Sequence, residues 1–211
     1  GQLGERMASP VVWQFTVAAP LGVGQFTDSG QLLQAFLATN SAAVALADVD
    51  GDGALDAIVA QGGDLNTNIP AFFPGSPATM VWHNNGHGVF TDSGQRLGTN
   101  ATTAALQVLA LDANGDGAPD FVLIRNQSTG ELWTNNGTGT FVLSPQKFLL
   151  SDQTVTNNFA VAAGDFNGDG SPDLAFLQTM AQPPFPNPAV QTIGIWTNDG
   201  HGVFVDSGQR L

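Results

Sequence analysis

Three stretches of this chain carry oxygen-bearing side chains at the spacing that a hard divalent cation requires. The first acidic loop spans residues 48–56, the second 112–120 and the third 165–173. In each loop Asp or Asn stands at positions 1, 3, 5 and 9, while glycines at positions 4 and 6 let the backbone curl. Carboxylate and amide oxygens in such a pattern are typical calcium ligands. The spacing therefore predicts three calcium sites.

The predicted ligands are the side-chain oxygens at positions 1, 3, 5 and 9 and the backbone carbonyl at position 7, with water completing the shell. They are Asp48, Asp50, Asp52, Ala54 and Asp56; Asp112, Asn114, Asp116, Ala118 and Asp120; and Asp165, Asn167, Asp169, Ser171 and Asp173. The alternative is a set of metal-free turns, because Asp, Asn and Gly also favour turns. Three copies in register favour calcium, and its role is expected to be structural, with the position 9 aspartate tying the second strand to the first.

The segments around each acidic loop are predicted to be strands. A run of small apolar residues ends at Ala47, before the first loop, and predicts an inner strand buried on both faces. Ala57 begins the second strand, Trp82 lies in the third and Phe90 begins the fourth. Asn-Gly or Asp-Gly between the third and fourth favours a tight hairpin. Each unit is thus predicted to hold four antiparallel strands.

The units repeat along the chain. A Trp-x-Asn hairpin phrase follows each acidic loop, beginning at Trp82, Trp133 and Trp196. Asp-Ser-Gly-Gln follows two of the hairpins, and a weaker first copy of the hairpin phrase at residues 22–31 has no acidic loop of its own. A period of roughly fifty to sixty residues with four strands per unit predicts propeller blades. The predicted single domain 1–211 has a partial blade at 1–38 and full blades at 39–98, 99–150 and 151–211.

From about Gly22 to the end, these motifs resemble the FG-GAP/VCBS repeat of bacterial secreted proteins and integrin α subunits. The resemblance implies an all-β propeller with calcium between the first and second strands of each blade. Rings of this family usually hold more blades, six to eight of them. Three full blades and a partial one therefore predict either a dimer that closes one ring or a piece of a longer protein.

Other residues suggest a ligand surface less directly. The segments between the second and third strands are Pro-rich in two units and carry Phe72, Phe73 and Phe185, which predict a ligand-binding surface. Alternatively, these side chains cap the blades or fill a subunit contact. His87 and His201 occupy equivalent hairpin positions and are interpreted as turn residues, and neither a zinc site nor a catalytic base is predicted at the histidines. The repeated tryptophans are expected to pack between blades rather than stack on sugars.

Composition narrows the classes of partner. The net charge is −13 with only five Lys and Arg, which argues against nucleic acid as a partner. The chain has no cysteine and no apolar run long enough for a membrane span. Its start lacks the segments of a signal peptide, so a mature form or an excised fragment is expected. Ten of the eighteen acidic residues lie in the three loops, so metal binding explains much of the acidity.

No catalytic motif is visible, so an enzyme is not predicted. The expected function is that of a calcium-stabilised, secreted or cell-surface propeller that acts as a binding or adhesion module for an extracellular glycan or protein. The resemblance to fungal members of this fold implies lectin-like carbohydrate binding as one form of this function. Calcium scarcity in the cytosol supports that location. The alternatives are a protein-binding or self-assembling scaffold, as in integrins, and a fragment of a propeller-type polysaccharide lyase.

Overall fold

The computed structural model describes residues 28–33, 40–62, 78–98, 105–125, 129–149, 160–180 and 190–211. The chain divides into two compact units, Gly1–Gly30 and Gln31–Leu211. Of the first unit only residues 28–30 are described, where the Gly30 N–H donates a hydrogen bond to the Asp28 carboxylate. Most of the predicted partial blade therefore lies outside the described residues.

The described part of the second unit consists of twelve strands joined by turns, and it contains no helix. The strands are β1 Asn40–Ala47, β2 Asp56–Gly62, β3 Thr79–Asn84, β4 Phe90–Leu97, β5 Ala105–Leu111, β6 Asp120–Arg125, β7 Thr129–Asn135, β8 Phe141–Leu149, β9 Val161–Gly164, β10 Asp173–Met180, β11 Val190–Asn198 and β12 Phe204–Arg210. The predicted all-β class is confirmed.

These strands form three sheets, each of four antiparallel strands in chain order. The first sheet holds β1 to β4, the second β5 to β8 and the third β9 to β12. Each acidic loop joins the first two strands of its sheet, as the sequence predicts. No sheet closes on itself, and the predicted blade boundaries stay a prediction.

The connection between the third and fourth strands is longer than the predicted tight hairpin. In the first sheet it spans residues 85–89, and the Asn85 N–H donates to the Val89 carbonyl at 3.1 Å. The Asn85 side-chain oxygen accepts hydrogen bonds from His87 and Val89, and Gly86 has a φ of 75°. Asn136 and Asp199 make equivalent bonds in the other sheets. The side chain before the glycine thus organises a five-residue loop.

The hydrophobic core lies between neighbouring sheets. Phe121 of β6 packs against Phe141 with ring centroids 4.9 Å apart, in a cluster that also holds Ile58 and Val81 of the first sheet. A second cluster joins β6 to the third sheet through Phe148. All six residues of β6 are buried, because both faces of the second sheet are covered.

One strand departs from the expected burial. The sequence predicts that β1 is buried on both faces, but Val44 and Leu46 are 59% and 56% exposed. Their neighbours Ala43, Ala45 and Ala47 pack against the first core cluster. The strand is therefore buried on one face, since β1 lies at the edge of the first sheet and no described residue covers its other face.

Glutamines of the Asp-Ser-Gly-Gln phrase link successive repeats. The Gln95 side chain of β4 donates to the Gly139 carbonyl and accepts from the Phe141 N–H at 3.0 Å. Gln31 forms the same pair of bonds with Gly88 and Phe90. Gly94, with a φ of 80°, lies where the pairing of β3 with β4 shifts register, directly before Gln95. The phrase therefore forms a joint to the hairpin of the next repeat.

Candidate metal centres

The first acidic loop is held open by hydrogen bonds between its carboxylates and its own backbone. The two oxygens of Asp48 accept from Gly51 at 2.8 Å and from Gly53 at 2.9 Å, where both glycines have positive φ. Asp50 accepts from the Asp52 N–H, and Asp52 accepts from the Ala54 N–H. One oxygen from each of Asp48, Asp50 and Asp52 lies within 4.8 Å of the others. The loop therefore directs one oxygen of each of these three carboxylates toward the same small space.

The second and third loops repeat this backbone geometry. Asp112 accepts from Gly115 and Gly117, as Asp165 does from Gly168 and Gly170. Position 3 is Asn114 or Asn167, whose amide oxygen accepts the N–H of position 5. The predicted ligands at positions 1, 3 and 5 therefore bend around the same kind of turn in all three loops. Their carboxylate and amide oxygens have the chemistry that suits a calcium ion, and the Asn114 and Asn167 amide groups also donate to the position 5 carboxylates.

The position 9 aspartates are fully buried, and each binds two backbone N–H groups. Asp56 accepts from Val49 at 3.0 Å and from Asn84 of β3 at 2.7 Å. The equivalent carboxylates of Asp120 and Asp173 bind the same two positions of their own repeats. Each carboxylate therefore ties the start of its loop to the third strand, a link that the sequence did not predict. Whether position 9 is a metal ligand stays a prediction.

Burial also affects the protonation of this position. It raises the pKa of the Asp120 carboxyl, because a charged carboxylate is poorly solvated inside the protein. The hydrogen bonds from the backbone of Asn135 and Ala113 act in the opposite direction, since they favour the ionised form. The neighbouring carboxylates Asp116 and Asp112 raise the pKa further. The loop thus brings together negative charges that a bound cation would stabilise.

Asparagines of the Trp-x-Asn phrase connect the first and second acidic loops to the sheets that follow them. The Asn135 side chain donates at 2.7 Å to the carbonyl of Val49 in the first acidic loop. The Asn198 side chain donates at 2.8 Å to the carbonyl of Ala113 in the second. Both asparagines are almost completely buried. Asn84, at the same repeat position in the first sheet, donates instead to Leu55 of its own loop. The recurring Trp-x-Asn phrase marked these residues, but not their partners.

The hairpin of each following sheet also rests on the acidic loop before it. A Cβ atom at Gly139 would lie 2.6 Å from the His83 ring and 3.4 Å from Val49. A Cβ atom at Gly202 would lie 3.6 Å from the side chain of Asn114. Glycine therefore permits close contact between the hairpin and the loop, and the first and second candidate metal centres each lie at a joint between two sheets.

The remaining predicted residues fall into two groups. Phe72, Phe73 and Phe185 lie outside the described residues, so their role stays a prediction. His87 and His201 are exposed in the hairpin loops, where their N–H groups bind Asn85 and Asp199, in keeping with turn residues.

The repeated tryptophans take part in packing. Trp133 is only 8% exposed, and its ring lies nearly parallel to that of Phe121. The Trp196 ring meets Phe148 of the second sheet edge-on at 5.4 Å. These contacts agree with the expectation that the tryptophans pack the protein interior.

The comparison with known families identifies part of the chain. Residues 112–176 match the family model of the FG-GAP-like repeat. This stretch is similar to an FG-GAP-like repeat. It spans the second and third acidic loops and the intervening hairpin, which confirms the resemblance predicted from the sequence. No curated protein matches the chain.

The family match indicates general properties that are typical of such repeats. FG-GAP-like repeats often bind calcium, are typical of extracellular proteins and suggest a propeller-like module that binds rather than catalyses. The acidic clusters agree with this because they could hold a metal ion. Among the described residues, no helix has the length and apolar character needed to cross a membrane.

The link between loop and following sheet can be tested with two matched variants. We expect Asn135→Ala to lower the free energy of unfolding by about 1–3 kcal/mol, because the buried Val49 carbonyl loses its donor. Asn84→Ala removes a similar bond within a more exposed loop, and we expect a loss below about 1 kcal/mol. Urea denaturation measures both values. Equal losses would show that the hydrogen bond between sheets stabilises the protein no more than the one within a single repeat.

Proposed function

We propose that this chain belongs to a calcium-stabilised propeller that acts outside the cell as a non-enzymatic binding module for carbohydrate. The observation that carries the proposal is the bonding of the first two acidic loops to the sheets that follow them, through Asn135 to Val49 and through Asn198 to Ala113. An ion held in such a loop stabilises not one strand connection but the joint between two blades.

The contacts between sheets support the propeller. The first strands β1 and β5 lie beside each other, as do β5 and β9. In a propeller the first strand of every blade lies nearest the axis, so neighbouring first strands meet in this way. The buried clusters between the sheets then correspond to the contacts between blades.

The donor atoms support calcium as the ion. The first loop offers Asp48, Asp50 and Asp52, and the other two offer two carboxylates and an amide each at the same positions. Hard oxygen donors suit calcium, which accepts six to eight oxygen ligands. A bound calcium ion would neutralise repulsion among the carboxylates, while the glycines and position 9 aspartates hold the loop in shape.

Calcium removal is expected to weaken the fold. EGTA should lower the melting temperature by several degrees, because removing calcium lowers the free energy of unfolding. In a domain of this size, a loss of 1 kcal/mol lowers the melting temperature by about 2–4 °C. The triple variant Asp52→Asn, Asp116→Asn, Asp169→Asn should lose most of this response, because it removes one charge from every loop. Asp92→Asn, outside the loops, should keep it. A melting temperature that ignores EGTA in the unmodified protein would contradict calcium stabilisation.

The proposed ligand is a glycan, bound by the segments between the second and third strands. Those segments begin at the end of the sheet opposite the acidic loops, since the strands of each sheet alternate in direction. In the sequence they carry Phe72, Phe73 and Phe185, and aromatic rings with nearby amides suit sugar binding. Binding there leaves the calcium centres as scaffold.

A glycan array tests this proposal. The unmodified protein is expected to bind a defined set of glycans, and replacing Phe72, Phe73 and Phe185 by alanine should abolish that signal without changing the melting temperature. The control His87→Ala should bind normally, because His87 lies in a hairpin loop.

An array without signal would exclude the lectin-like function. Loss of binding to a protein partner on deleting the same segments would favour the scaffold alternative. Unsaturated sugar products detected by ultraviolet absorption would instead indicate a lyase.

We further propose that two copies of the chain complete one ring. Gln209 occupies the repeat position of Gln31 and Gln95, yet its side chain is exposed and makes no hydrogen bond with any described residue. Val205 on the same strand is 60% exposed, as Val44 and Leu46 are on the first sheet. A hairpin from a second copy would give Gln209 the partners that Gln95 has in Gly139 and Phe141.

Sedimentation in calcium buffer tests ring closure. The expected mass is twice that of the 21.8 kDa chain. Gln209→Ala should weaken the association at least about tenfold, because two hydrogen bonds at the interface are lost. Thr140→Ala, an exposed change in the middle repeat, should leave it unchanged. A monomeric mass at every concentration would rule out the dimer.

A further inference from the structure

The first acidic loop differs from the other two at two positions, and the two differences meet in space. Position 3 is Asp50, where the other loops have Asn114 and Asn167. The residue after the repeated tryptophan is His83, where the other sheets have Thr134 and Thr197. The Nδ1 atom of His83 lies 3.0 Å from an oxygen of Asp50 and 3.8 Å from an oxygen of Asp56. This repeat alone thus places a ring nitrogen beside two carboxylates.

Hydrogen bonding does not account for this nitrogen. His83 Nδ1 is buried, and it makes no hydrogen bond of acceptable angle with any described residue, although an Asp50 oxygen lies within reach. The oxygen of Asp56 nearest to it already accepts the Val49 N–H. A carboxylate oxygen has a second lone pair, so Asp56 can still bind a cation.

The distances suit donors that share one ion. Two donors about 2.1 Å from a tetrahedral ion are about 3.4 Å apart, and the two separations seen at His83, 3.0 Å and 3.8 Å, lie on either side of that value. Nitrogen from imidazole favours zinc and similar transition metals, whereas calcium favours oxygen. The three donor atoms of Asp50, Asp56 and His83 all lie within 4.8 Å of one another.

We propose that Asp50, Asp56 and His83 form a transition-metal site, for Zn²⁺ or an ion of similar preference, in addition to the oxygen-only centres of the acidic loops. This reverses the sequence-based expectation that the histidines hold no zinc. Asp50 and Asp56 are also among the predicted calcium ligands of the first loop, and Asp50 converges with Asp48 and Asp52, so His83 is the donor that distinguishes the two sites. The site does not depend on carbohydrate binding or on calcium in the other two loops.

The position of the site suggests what the ion does. The His83 ring packs against Gly139 in the hairpin of the second sheet, where even a Cβ atom would meet it at 2.6 Å. An ion on His83 would therefore fix this ring at the contact between the first and second sheets. The second and third sheets meet without a histidine there, since Thr134 takes its place. Metal occupancy would thus stabilise one particular joint.

Zinc titration by calorimetry in calcium-containing buffer tests the site. The unmodified full chain is expected to bind one Zn²⁺ and to melt at a higher temperature when zinc is present. His83→Thr should bind zinc at least about tenfold more weakly. This variant is expected to fold, because threonine occupies the same position in the other two sheets. Asp50→Asn, which also copies the other repeats, should weaken zinc binding as well.

Two controls distinguish zinc binding at His83 from zinc binding elsewhere on the chain and from calcium stabilisation. His87→Thr removes an exposed histidine and should leave zinc binding unchanged, since Thr138 occupies that position in the second hairpin. His83→Thr should keep its response to EGTA, so failure of the zinc site and failure of calcium stabilisation give different results. Zinc binding of equal strength in His83→Thr and the unmodified protein would overturn the proposal. A second pair of results would also overturn it: zinc has no effect on the unmodified protein, and His83→Thr is less stable than the unmodified protein without metal. His83 would then serve only as an ion-pair partner of Asp50.

Discussion

A buried carboxylate that binds two backbone N–H groups is the interaction on which each repeat depends. Removing such a charge from water is costly unless hydrogen bonds compensate it. At Asp120 the two donors are Ala113, at the start of the acidic loop, and Asn135, at the end of the third strand. One side chain therefore fixes three segments of the repeat: the loop start, the second strand and the third strand. The carboxylates at positions 1 and 5, which are more exposed than position 9, can face a cation because position 9 already holds the loop in place.

The loops and the joints between sheets form one system. The Asn135 backbone binds the aspartate of its own repeat, while its side chain binds the carbonyl of Val49 in the repeat before. In a repeat array, stability depends on each unit and on its contacts with neighbours. A residue that takes part in both couples them, so a change in one acidic loop reaches the next sheet. Gln95 adds a second connection through the following hairpin.

The local features of this fold could be predicted from the sequence, whereas the contacts between repeats could not. The acidic loops and the strand order follow from spacing and hydrophobic pattern within a few residues. The partner of Asn135 lies 86 residues earlier, and that of Gln95 lies 46 residues later, so recurrence showed that these positions matter without showing what they touch. The five-residue hairpin was missed for a related reason. A dipeptide such as Asn85-Gly86 specifies a positive φ, but the Asn side chain determines how many residues the turn encloses.

Repetition makes exceptions informative. Because the three acidic loops share one backbone geometry, a side chain that differs in one copy does not arise from the needs of the loop itself. Threonine stands beside the tryptophan in two sheets and asparagine stands at position 3 in two loops, so the same backbone geometry forms elsewhere in the chain without a histidine or an aspartate at these positions. A lone change could be neutral variation. Here two positions differ together, and they place the His83 nitrogen 3.0 Å from an Asp50 oxygen at one joint between sheets. The proposed consequence is affinity for a cation that accepts both nitrogen and oxygen ligands.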